Sequence, residues 1–214
     1  MKKAIILGGS RGIGGAITDN LKKNYSVVSF SSSECDTGNL NQIKKVTDSH
    51  PVTDILVLNT GGPPAINFFE IDKATWEKYH NQLFLGFCTL LQNIHIKSGG
   101  YVFLISSFNI KEPNPDLILS NAYRMAFVSV FKSLSKVLAS RKISLINIAP
   151  GPIKTDRLLS LVDDVDELAN KLPMGYVADP DEIGRFVKCI VDNDIKYLSG
   201  VTINFDGGAS NYVL

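Results

Sequence analysis

Residues 5–14 read IILGGSRGIG, an apolar run that meets a glycine-rich turn, with Gly8, Gly12 and Gly14 as its spaced glycines, before a helical pattern begins. A strand that turns directly into a helix needs glycine, because the turn is tight and visits backbone conformations that side chains disfavour. The first turn of the helix leaves backbone N–H groups unpaired at the positive end of its dipole, which together attract phosphate. The spacing is GxxxGxG rather than the dinucleotide fingerprint GxGxxG, so taken alone the stretch also fits a glycine-rich turn without a ligand.

Working outward, apolar runs alternate with helical periodicity. Strands are expected at residues 26–31, 54–60, 99–107, 143–151 and 201–208, and helices at 13–23, 39–49, 72–97, 120–140 and 180–193. Asp72 is placed to cap the third helix. In the long helix 120–140, Ala122, Ala126, Val130, Leu134 and Val137 form one stripe, and Phe127 and Phe131 sit four apart as core residues. Continuous apolar strands separated by helices imply an α/β fold, a doubly wound parallel sheet with helices on both faces. Ligands in such sheets sit beyond the C-terminal strand ends, where the glycine loop and the NTGG (59–62), ISS (105–107) and APG (149–151) turns all fall.

The chain has 214 residues, 44% of them hydrophobic, enough for one domain with a buried core. A net charge of +1 without a Lys/Arg run speaks against a nucleic-acid surface. The apolar run after Lys3 stops at Gly8, too short for a signal peptide, and no segment reaches membrane-spanning length. Cys35, Cys88 and Cys189 are scattered, as in a reducing compartment, so a cytoplasmic protein is expected. His50, His80 and His95 have no metal-ligand spacing, and no metal is expected.

Four motifs in order, GGSRGIG (8–14), LNTGG (58–62), IAPGPIKT (148–155) and YLSGVTINFDGG (197–208), resemble those of the short-chain dehydrogenase/reductases. The resemblance covers nearly the whole chain and implies a Rossmann-type fold with a nicotinamide cofactor. Leu7 stands where the family usually has Thr. The chain is also shorter than most members between strand two and Asp36, where a whole helix is reduced to SSSE.

By resemblance, Gly8, Ser10, Arg11, Gly12, Ile13 and Gly14 would hold the pyrophosphate and adenosine ribose. Asp36 would accept from the adenine amine. Asn59 and Gly61 would line the adenosine ribose side, and Ile153 and Thr155 would bind the nicotinamide carboxamide. NAD-dependent relatives usually place a carboxylate at the end of strand two for the ribose 2′-OH. Here that place reads Phe30-Ser31-Ser32-Ser33. Arg11 offers a charge-assisted donor to a 2′-phosphate, and Ser32 can add a hydroxyl. NADP(H) is therefore expected, with NAD(H) as the alternative if Glu34 supplies the carboxylate.

The family's reaction centre is a Ser, a Tyr thirteen residues on and a Lys four beyond. In this chain those positions are Ser107, Ser120 and Arg124, and the position of a further Asn on the preceding helix is Leu83. Serine is a far weaker acid than tyrosine, and arginine stays protonated, so a Tyr–Lys proton relay is not available. Arg124 can still supply a fixed positive charge, and Ser107 and Ser120 can polarise a carbonyl, with the proton drawn from water or another side chain. Tyr123 lies about 60° round the helix from Ser120 and is expected to pack against a neighbouring element.

Residues 155–178 fall where the family carries its substrate lid, with Leu158, Leu159 and Leu161 as pocket-lining candidates. The resemblance also implies a homodimer or homotetramer, with the outer faces of the 80–97 and 120–140 helices as its seam. The sequence thus points to an NADP(H)-dependent oxidoreductase acting on a carbonyl or alcohol of a small molecule through an altered Ser/Ser/Arg site. The alternatives are a catalytically inactive NADP(H)-binding sensor or interaction protein, and a dinucleotide site used for chemistry other than ketone reduction, for example on an acidic substrate gripped by Arg124.

Overall fold

The computed structural model describes residues 1–213. Six parallel strands form one sheet: β1 (Lys3–Leu7), β2 (Ser26–Phe30), β3 (Val52–Leu58), β4 (His95–Ile105), β5 (Ser144–Pro150) and β6 (Val201–Phe205), in the order β2-β1-β3-β4-β5-β6. The chain moves outward from β1 to β2, then crosses back to place β3 on the other side of β1. The loops at the C-terminal ends of β1 and β3 therefore part at a topological switch point, which opens a crevice between them. Among the described residues, no strand lies outside β2. The chain instead leaves β2 through a short turn in which Cys35 N–H donates to the Ser31 carbonyl at 2.9 Å. That turn is the shortened SSSE segment.

The helices are α1 (Gly12–Leu21), α2 (Leu40–Ser49), α3 (Lys73–His80), α4 (Gly86–Asn93), α5 (Ile118–Val137), α6 (Asp156–Leu159), α7 (Val165–Lys171) and α8 (Pro180–Asp192). The period-two alternation of the strands sorts the core into two layers. Ile5, Leu7, Leu56, Leu58, Val102 and Leu104 point to one face, with Phe87 and Phe127. Ala4, Ile6, Ile55, Val57, Tyr101 and Phe103 point to the other, with Ile17, Ile183 and Val187. Both faces are covered, which is why the strands read as unbroken apolar runs.

The helix boundaries have local causes. Asn39 accepts from the N–H groups of Asn41 and Gln42 and starts α2, and Asp72 accepts from Thr75 N–H at 2.7 Å and starts α3. At α8, Asp179 and Glu182 form a reciprocal capping box with Pro180 in the first turn.

One expectation is corrected. The helix expected over 72–97 is α3, a π-helical turn (Asn81–Leu85) and α4, and it stops at Asn93. Residues 95 and 96 already pair with β3, and Gly99 and Gly100 absorb a register shift before the main run of β4. In α5, Phe127 and Phe131 are core residues as expected, and the stripe from Ala122 to Val137 lies largely outside the core. Ala122, Ala126 and Val137 are exposed, whereas Leu119, Ser120, Phe127, Phe131 and Ser135 are buried. The aromatic pair pulls the helix round, because Phe127 packs on both Phe87 and Phe131. Among the described residues, no helix is long and apolar enough to cross a membrane.

Near the end of α1, Tyr25 donates its hydroxyl to Asp192 of α8 at 2.5 Å. Burial and the neighbouring carboxylate push the Tyr25 pKa up from 10.0 to about 12. A folded-state pKa above the unfolded one means stability present below pH 10 and lost as pH rises towards 12. We expect Tyr25→Phe to flatten this alkaline loss, measured as urea midpoints across that pH range.

Candidate active site

The glycine loop is held from beneath. A Cβ on Gly14 would lie 2.1 Å from the Gly8 carbonyl oxygen and 2.7 Å from Asn59 Nδ2, so only glycine lets α1 start this close to β1. Gly8 and Gly12 have φ of +59° and +54°, the left-handed region that favours glycine. Asn59 Nδ2 donates to the Gly8 carbonyl at 3.1 Å and so ties the end of β3 to the loop after β1. No side chain caps the start of α1 and no acidic residue sits in its first turn. Its N-terminal amides and dipole are thus available to an anion.

A cleft of about 690 Å³ opens over this loop along the C-terminal edge of the sheet. Gly8, Ser10, Arg11, Gly12, Ile13, Ser32, Asp36, Asn59, Gly61, Ile153 and Thr155 all line it, and so do Ser107, Ser120 and Arg124. Gly14 does not: it is buried under Gly8 and its part is packing, a correction to its expected contact with a pyrophosphate. Leu158 and Leu161 line the cleft, whereas Leu159 does not and is half exposed, a second correction. Glu34 is also outside the lining. Its carboxylate accepts from Ser31 N–H at 2.8 Å and Ser31 Oγ at 2.7 Å, and these bonds hold it below the usual carboxylate range.

At the other end, Ser107 Oγ accepts from Asn109 N–H at 3.2 Å, and Ser120 Oγ accepts from Arg124 Nε at 3.2 Å. Both hydroxyls accept from the protein and keep their own protons to donate. Arg124 also donates from Nη1 to the Ile105 carbonyl at 3.1 Å and from Nη2 to the Thr60 carbonyl at 3.4 Å. Burial, and then the charge of Arg157, push its pKa down to about 10, so it remains a cation at neutral pH.

Tyr123 faces away. Its hydroxyl donates to the Trp76 carbonyl at 3.1 Å, and its ring meets Trp76 and His80 edge-on. Leu83 is likewise buried, against Tyr79 and Leu119. The π-helical turn turns Gln82 towards the cleft instead, where Nε2 donates to the Gly61 carbonyl at 3.0 Å. The sequence gives no periodic signal for this, because a π turn shifts the register of the residues it contains.

Among the cleft residues not anticipated from the sequence are Gln82, Tyr79 and Arg157. Tyr79 is the only phenol among the lining residues. Arg157 belongs to the 155–178 segment, whose base is closed by a bridge between Ile153 and Ala178 and by Lys154 N–H donating to the Ala178 carbonyl at 2.8 Å. Among the described residues, no three His, Cys, Asp or Glu side chains gather as metal ligands.

Fold and cleft together are those of a dinucleotide-binding α/β protein, and comparison with known proteins narrows the class. A family model described as enoyl-(acyl carrier protein) reductase matches residues 10–210. The chain belongs to the short-chain dehydrogenase/reductase family of oxidoreductases. It is 26% identical to a 3-oxoacyl-(acyl-carrier-protein) reductase of Rickettsia felis, covering 97% of this chain and 96% of that one. It is 24% identical to an acetoacetyl-CoA reductase of Shinella zoogloeoides, over 96% and 97% of the two chains. Among solved structures, a short chain dehydrogenase family protein from Francisella tularensis superposes with a TM-score of 0.89 at 23% identity, over 98% of both chains. A blue fluorescent protein from a metagenomic library, solved in complex with NADPH, gives the same TM-score, identity and coverage.

Gly14→Ala is expected to strain the β1–α1 turn and destabilise the fold by about 1–3 kcal/mol. Chemical denaturation of the variant and wild type checks it.

Proposed function

We propose that the chain is an NADP(H)-dependent oxidoreductase that acts on a carbonyl or alcohol group through Ser107, Ser120 and Arg124. One observation carries the reading. The Ser107 and Ser120 oxygens both accept from groups of the protein, which leaves two O–H donors in the same cleft as a fixed guanidinium cation. A carbonyl oxygen placed among them would be polarised as negative charge develops on it.

The cradle fits the cofactor. The uncapped start of α1, with Gly8, Ser10, Arg11, Gly12 and Ile13, would hold a pyrophosphate. Asp36, Asn59 and Gly61 would contact the adenosine half, and Ile153 and Thr155 the nicotinamide carboxamide. When bound, the nicotinamide supplies or accepts the hydride. NADP(H) is favoured because Glu34 is folded back onto its own turn, which leaves Arg11 and Ser32 to face the 2′ position. The NADPH-bound structural neighbour supports the same choice. Ser107 and Ser120 orient the substrate oxygen, Arg124 stabilises the charge on it, and the proton comes from water or from Tyr79. The 155–178 segment would act as the lid that excludes bulk water.

We also propose that the exposed face of α5, with Ala122, Met125, Ala126 and Val137, is the seam of a homo-oligomer. Light scattering is expected to give a dimer or tetramer, and a monomer would remove this seam.

Fluorescence titration is expected to show tighter binding of NADPH than NADH, with the preference cut about ten-fold in Arg11→Ala. Slow NADPH oxidation with a carbonyl substrate is expected, and Arg124→Ala should abolish it. Tight NADPH binding with no turnover across a broad carbonyl panel would instead establish the non-catalytic alternative.

A further inference from the structure

We propose that Arg124 and Arg157 together receive an anionic group carried by the substrate, so that the cleft selects acidic carbonyl compounds over neutral ones. The proposal rests on the preceding reading that the cleft takes a carbonyl substrate beside a nicotinamide cofactor.

The two arginines come from opposite walls. Arg124 rises from α5, and Arg157 reaches down from α6 to donate to the Pro63 carbonyl. They meet over Gly62. A Cβ placed there would lie 3.7 Å from Arg124 Nη2 and 3.9 and 4.0 Å from Arg157 Nε and Nη2. The space kept clear by Gly62 is therefore flanked by two guanidinium groups, while Gly61 beside it is also open.

Neither cation has a carboxylate partner among the described residues. Every acceptor of Arg124 is neutral: one hydroxyl and two backbone carbonyls. The acceptor of Arg157 is a carbonyl as well. The two acidic residues that line the cleft are engaged elsewhere. Asp36 Oδ1 accepts from Gly38 N–H at 2.8 Å, and Asp156 pairs with Arg11 at 3.4 Å. Two like charges brought together away from water are costly unless an anion joins them. A guanidinium presents donors in a planar fork that suits carboxylate and phosphate oxygens alike. Arg124 uses three of its five N–H donors, which leaves two for a ligand.

The placement separates this site from the pyrophosphate cradle. The cradle is the loop after β1, whereas the arginine pair lies over the loop after β3, on the side of Ser107 and Ser120. A substrate with its carbonyl oxygen at the serines would set its acidic group between the arginines.

The test is calorimetric titration of protein saturated with NADP⁺, so that the pyrophosphate cradle is filled. The probes are acetoacetate, its neutral methyl ester, and inorganic phosphate. Acetoacetate is expected to bind at least about ten-fold more tightly than methyl acetoacetate. Arg157→Leu should erase that difference and leave NADPH affinity unchanged, and Arg157→Lys should restore part of it. Tighter binding of phosphate than of acetoacetate assigns the site to phosphorylated rather than carboxylic substrates. Equal binding of acid and ester, or an acid preference that survives in Arg157→Leu, overturns the proposal. Parallel NADPH oxidation assays separate the two readings. An intact acid preference with no turnover of either carbonyl defeats the oxidoreductase reading alone, and turnover of acid and ester without preference defeats the anion site alone. Should Arg157→Leu not fold, Arg157→Gln keeps the hydrogen bonding and removes the charge, with the same expected loss.

Discussion

Everything at the ligand end of this molecule is built on the approach of Gly14 to the carbonyl of Gly8. With no side chain at Gly14, α1 begins directly against the end of β1, and the approach is too close for even a methyl group. That contact aims the unpaired amides of α1 into the crevice. The Asn59 side chain bonds to the same carbonyl and brings the end of β3 into register with the loop. The switch point between β1 and β3 is then a fixed cradle, and the groups at the ends of β4 and β5 are positioned relative to it by the sheet itself.

The opposite end of the cleft is organised by charge. Arg124 lies against Thr60, Ile105 and Ser120, so it braces three segments at once through neutral acceptors. A tyrosine and lysine there would have formed an acid and its pKa-lowering cation. A serine and arginine form a donor and a permanent charge, with no group that titrates near neutral pH. The site is suited to stabilising negative charge and less to passing protons. Tyr79, which lines the cleft near Arg157, is the phenol that the local sequence pattern does not reveal.

The sequence disclosed the fold because each buried strand is a continuous apolar run and the turns after β1, β3 and β5 carry glycine or proline. Gly14 and Leu159 were misjudged because a residue's place in a motif does not say whether its surface faces the ligand or the core. In α5 the four-residue spacing of Phe127 and Phe131 marked the core side of the helix, and both are buried. Gln82 was missed because a π turn breaks the 3.6-residue count on which facing is judged. Arg157 was missed because an arginine in a polar amphipathic segment looks solvated until the opposite wall of the cleft is in place.

The sheet ends at β2, a strand of five residues that pairs with β1 alone and has no fully buried residue. An edge of this kind opens more readily than the strands at the centre, because fewer apolar contacts and only one ladder of hydrogen bonds must be released. The turn that carries Ser32 hangs from it. Local opening at β2 would loosen the adenosine wall while the cleft floor on β3, β4 and β5 stays folded. Occupancy by a dinucleotide and protection of β2 are then two views of one equilibrium, and the ligand would steady the margin of the protein more than its centre.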